Sequence, residues 1–139
     1  METTRVSVSK TCAEIEEYLI AMDATSIMKD ICDGNIEGVA FTVPFKSTSL
    51  SIRLPFRWKP IQDLAKSHMT GRNATANEEQ ARRVAARQVL RWIQAQHALW
   101  YCDMVEVAEV FLPYVVDQRT GRTLYQTIET DPGRLLADG

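Results

Sequence analysis

The sequence predicts an α+β fold: a small antiparallel β-hairpin or sheet packed against one long central α-helix, with additional short helices around them. Three observations carry this. Between Ile36 and Phe56 apolar side chains alternate with polar or small ones, the period-two pattern of half-buried strands. Between Asn77 and Tyr101 they recur close to every 3.6 residues, as Ala81, Val84, Ala85, Val89, Trp92, Ile93, Leu99 and Trp100, with no Gly or Pro to interrupt. Each segment has one apolar face and must bury it against something, and the helix is the natural cover for the hairpin.

Taken in order, residues 1–10 read as a flexible polar arm, with an extended piece at Val6 to Ser9. Thr11 and Glu14 form a capping-box pattern ahead of a first helix, Cys12 to Met22, whose stripe is Ile15, Tyr18, Leu19 and Met22. Ile27, Met28 and Ile31 continue a helical face to Asp33, where Gly34 and Asn35 stop it. Val39, Phe41, Val43 and Phe45 then make one strand and Leu50, Ile52, Leu54 and Phe56 the next, with Lys46 to Ser49 as the turn. Pro44 and Pro55 cannot donate to a ladder and belong at strand ends or edges. Pro60 opens a short helix with Ile61, Leu64, Ala65 and His68 on one side. Thr70 to Ala76 is a polar loop, and Asn77 with Gln80 caps the long helix. Asp103 with Glu106 caps another short helix, ending before Pro113. Tyr114 to Val116 is extended, Asp117 to Gly121 a turn, and Thr123 with Gln126 caps a last helix, Leu124 to Ile128. Residues 130–139 are a loosely held tail on a single domain spanning 1–139.

Composition excludes several classes. With 45% apolar and 24% charged residues the chain has the make-up of an ordinary folded domain. No apolar run approaches the roughly 20 residues of a membrane span. METTRVSVSK lacks the apolar core of a secretory signal, so the expected setting is cytoplasmic. Cys12, Cys32 and Cys102 are far apart and form no CxxC pair, which reads as reduced, partly buried thiols.

The net charge of −2 conceals an asymmetry. Between Val43 and His97 stand Lys46, Arg53, Arg57, Lys59, Lys66, Arg72, Arg82, Arg83, Arg87 and Arg91, against only Asp63, Glu78 and Glu79. The middle of the chain is basic and both ends are acidic. Arg83, Arg87 and Arg91 form an i, i+4 ladder on the long helix, on a face expected to point away from the core, and Arg53, Arg57 and Lys59 lie beside Phe56 and Trp58. Basic groups interleaved with aromatics suit a nucleic-acid strand, and Arg72 precedes a helix N-terminus where a phosphate is favoured. The competing readings are that the acidic ends fold back on the basic middle, or that Arg82 and Arg83 pair with Glu78 and Glu79 one turn earlier. Phe56, Trp58 and Trp92 equally suit a core.

Catalysis has little foothold. His68 and His97 stand in no Ser, Cys or carboxylate constellation, no cluster has metal-ligand spacing, and neither common phosphate-binding glycine motif occurs, so no cofactor is expected. The run ARRVAARQVLRWIQAQHALWYCDMVEVAEVFLPYV, followed by GRTLYQ and preceded by the LPFRW of Leu54 to Trp58, resembles a family of small uncharacterised bacteriophage and prophage proteins. The resemblance spans roughly Ile36 to Ile128 and implies a phage or mobile-element context, with no catalytic residue to transfer. The expectation is a non-enzymatic accessory protein that binds nucleic acid through Arg53, Arg57, Lys59, Arg72, Arg83, Arg87 and Arg91. The alternative is a module that binds a host or phage protein, with Trp92, Trp100, Tyr101 and Tyr114 as anchors and a homodimer as one arrangement.

Overall fold

The computed structural model describes residues 7–66 and 74–133, with side chains described for 7–64 and 78–133. The elements are α1 (Val8–Ala21), β1 (Ser26–Cys32), β2 (Asn35–Phe45), β3 (Thr48–Pro55), α2 (Lys59–Lys66), α3 (Ala74–Tyr101), α4 (Val107–Phe111) and α5 (Leu124–Thr130), with a 3-10 turn over Leu112–Tyr114. The three strands form an antiparallel meander in the order β1-β2-β3. The class is α+β, with a long helix laid across the sheet.

The β2-β3 hairpin follows from the alternation. Val39 pairs with Leu54, Phe41 with Ile52 and Val43 with Leu50, which puts the apolar set of both strands on one face. The two prolines fall at the ends, Pro44 opposite Ser49 and Pro55 opposite Gly38. Gly38 is required there: a Cβ would lie 2.6 Å from the Leu54 carbonyl oxygen.

Onto that face pack two helices. Cys12, Ile15, Leu19 and Met22 of α1 and Ala85, Ala86, Leu90 and Ile93 of α3 are buried against Val39, Phe41, Ile52 and Leu54. Phe111 closes the core, fully buried, with its ring edge-on to Phe41 and Trp92. Trp92 also meets Tyr114 edge-on, so the aromatic anchors of α3's middle serve the core. Glu14 lies by Arg87 and Tyr18 by Gln94 and His97, so α1 and α3 run parallel.

Several expectations are corrected. Ser26–Cys32 is a strand, not a helix: β2 offers it an open edge, and the strand is mostly exposed, with Ile27 against the core but Met28 and Ile31 facing solvent, so burial does not impose an alternating pattern on its apolar residues. The first helix begins at Val8, with Ser7 accepting from the Lys10 N–H at 3.1 Å; Thr11 is buried inside it rather than capping it, and residues 8–10 are helix rather than arm. The long helix already runs from Ala74, ahead of Asn77, and takes up the last residues of the expected loop. The buried stripe of α3 passes through Ala86 and Leu90, while Val84 and Val89 are only half-buried. Leu64 is 69% exposed, so α2 does not bury that side chain. The cap of α4 is Glu106, whose N–H donates to Glu109 at 3.1 Å. Cys32 and Cys102 are exposed; only Cys12 is buried. The Thr123 and Gln126 box at the start of α5 forms as expected. His68, Arg72, residues 1–6 and residues 134–139 lie outside the described residues.

Candidate functional site

The basic residues occupy several different surroundings. On β3, Arg53 points to the sheet face opposite the core, where its Nη2 donates to the Gly121 carbonyl at 2.8 Å and to Gln126 Oε1 at 3.5 Å. It holds the 117–121 turn in place. Val116 donates to the Ser51 carbonyl at 2.8 Å, so the segment after α4 runs along the edge of β3.

On α3, Arg83 lies 3.8 Å from Glu79 and Arg87 3.9 Å from Glu14 of α1. Both are half-buried, and the Arg87 Nε is covered. The ladder therefore does not face away from the protein: its central arginine sits in the α1-α3 seam, where the acidic N-terminal region folds back on the basic middle. Arg91 is exposed, as are Arg57 and Lys59 at the β3-α2 connection.

Arg82 is the most enclosed cation of the group, with 13% of its side chain exposed. Its guanidinium lies 4.1 Å from the centre of the Trp58 ring and bonds to Glu37 on β2 and to Glu78 at 3.0 Å. Trp58 Nε1 donates to the same Glu37 carboxylate at 3.1 Å. Burial works against the Arg82 charge, but the two carboxylates outweigh it and hold its pKa above the ordinary arginine value. This post ties β2, the β3-α2 connection and α3 together; it uses Trp58, which the sequence offered as ligand-facing, and Arg82, whose pairing with Glu78 is the competing reading of that charge.

A concavity lies at the other end of the molecule. The hairpin tip, the ends of α1 and α3, and α4 enclose a groove of about 590 Å³ lined by Met22, Asp23, Val43, Pro44, Phe45, Lys46, Trp100, Glu106, Val107 and Ala108. A mostly apolar concavity with a few convergent polar groups is the usual form of a binding site. Phe45, Tyr101 and Met104 are exposed at this end of the fold, Tyr101 by 79% and Met104 by 68%. His97 stands behind Trp100, its ring 5.6 Å away, and meets the edge of Tyr18 at 5.2 Å. Of the groove's lining, only Trp100 stands out in the sequence as an anchor; the rest comes from three separated stretches that only the fold joins.

Chemistry elsewhere is sparse. The Cys12 thiol is pushed up to about 11 by burial and by the neighbouring Glu16 carboxylate, which keeps it protonated and unreactive at neutral pH. Among the described residues no group of three or more His, Cys, Asp or Glu is placed to hold a metal ion, and no helix is long and apolar enough to cross a membrane. No protein-family model, curated protein or solved structure matches the chain.

Proposed function

We propose that this protein acts by binding another protein through the groove between the hairpin tip, the helix C-termini and α4. The observation that carries the reading is the groove itself: about 590 Å³, lined by Trp100, Phe45 and Val107 together with the charged Asp23, Lys46 and Glu106. In the phage or mobile-element context that the sequence resemblance implies, the partner is a host or phage protein. Nucleic-acid binding through the basic residues draws less support, because Arg53, Arg82, Arg83 and Arg87 are engaged within the fold. Arg57, Lys59 and Arg91 are the described members of the basic set left to solvent without such partners.

Site-specific photo-crosslinking separates the two. A photoreactive side chain at Ala108, on the groove, is expected to give a discrete protein adduct in native cell extract that survives nuclease, whereas one at Gln118, on the opposite sheet face, gives none. Adducts that form instead from positions 57 and 91 and disappear with nuclease would return the assignment to nucleic acid. An adduct between two copies of the chain would make the partner a second protomer.

A further inference from the structure

We propose that the groove takes a cationic and apolar peptide segment, a Lys or Arg next to a large apolar side chain. This rests on the protein-binding reading above and adds the chemistry of the partner. The apolar side chain seats against Trp100, Phe45 and Val107, and the cation lies between Asp23 and Glu106.

The argument begins with the way the two core helices end. At α1, Asp23 N–H donates to the Ile20 carbonyl at 3.0 Å and Ala24 N–H to Leu19 at 2.9 Å; at α3, Asp103 N–H donates to Trp100 at 2.9 Å and Met104 N–H to Leu99 at 2.9 Å. Both are the same closing motif, in which one residue turns left-handed just past the helix. That slot favours glycine, then asparagine. Here it holds aspartate twice, with φ of 73° at Asp23 and 62° at Asp103.

An aspartate there is doubly unfavourable for the fold. Its side chain strains the left-handed backbone, and its charge adds to the negative pole that every helix carries at its C-terminus. Neither helix has a basic residue in its last turn to offset this. Because α1 and α3 are parallel, both negative poles lie at the groove's end of the molecule. Glu106, the N-cap of α4, adds a further carboxylate to the lining, while Lys46, the one cation among the described lining residues, has its Nζ 5.7 Å from the centre of the Phe45 ring. Local choices that oppose stability are expected where function requires them. A cation supplied by a partner would find two helix ends and two groove carboxylates already assembled, beside an aromatic wall.

The test is a selection of displayed random peptides on the whole protein, followed by anisotropy titration of the synthetic consensus peptide against the wild type, Asp23→Asn with Asp103→Asn, and Glu106→Gln. The expected consensus pairs Lys or Arg with Phe, Leu or Trp. Binding should weaken about fivefold to tenfold for each variant. The double asparagine variant should also melt at a higher temperature than the wild type, since it relieves the helix ends. A lower melting temperature would make the aspartates structural and overturn the proposal. Enriched peptides that are neutral or acidic, yet lose binding when Ala108 is changed to a bulky residue, would overturn the cationic partner and leave the groove as a protein site. Enrichment of no groove-dependent peptide would overturn both.

Discussion

Gly38 has backbone on the side where any other residue carries its Cβ: Leu54 O at 2.6 Å and Pro55 Cα at 3.0 Å. Neither can swing aside as a side chain would. Gly38→Ala is therefore expected to push β3 away from β2 and cost about 1–3 kcal/mol, read from urea unfolding; a loss under about half a kilocalorie would show that the strand pair yields to the added methyl. The cysteines divide by the same logic of burial. Cys32 and Cys102 should react with an aromatic disulfide reagent within seconds at neutral pH, and Cys12, buried and held protonated at a pKa of about 11, only when the protein opens. Three equal fast reactions would contradict the packing of α1. Spacing in the chain does not distinguish the three thiols, because what separates them is that the fold turns Cys12 into the core and leaves the other two outside it.

Elements were legible where their own residues decide them. The hairpin could be read from Val39 to Phe56 because both strands have one face in the core, and the cap of α5 because Thr123 and Gln126 complete it locally. SIMKDIC points to the wrong element because Ile27, Met28 and Ile31 have helical spacing, and the neighbouring strand that makes them β is outside the segment. Pairing of the arginines was equally hidden: Glu14 reaches Arg87 only through the parallel packing of α1 on α3. At the C-terminal end, the segment beside β3 depends on Arg53. Arg53→Ala removes the bond to Gly121, and the amide of Val116, bonded to Ser51, is expected to exchange its hydrogen about tenfold faster with little change in global stability. Unchanged exchange at Val116 would mean that the Ile52 and Val115 pairing suffices alone.

Across the whole molecule, the Glu37, Trp58 and Arg82 post and the groove lie at opposite ends of the sheet. The post bears on stability. Glu37→Gln replaces a charge-assisted bond to an enclosed guanidinium and should cost roughly 2 kcal/mol, and a double-mutant cycle with Arg82→Met should recover a coupling of similar size. Near-additive losses would show that the two residues act separately. Trp58 was read as either core or stacking platform; the fold makes it the floor beneath an arginine. The groove was not legible because no local pattern brings Asp23, Phe45, Trp100 and Glu106 together.

The parallel course of α1 and α3 has a consequence for the molecule as an electrical object. Their peptide dipoles add instead of cancelling, with Arg57 and Lys59 at one extremity and Asp23, Asp103 and Glu106 at the other. A protein of net charge −2 thus carries a helix-dipole moment directed along α1 and α3, with the Asp23, Asp103 and Glu106 carboxylates at its negative pole, and an external field orients it along that axis. Dielectric relaxation in dilute buffer should register a large permanent moment, and Asp23→Asn with Asp103→Asn should shrink it.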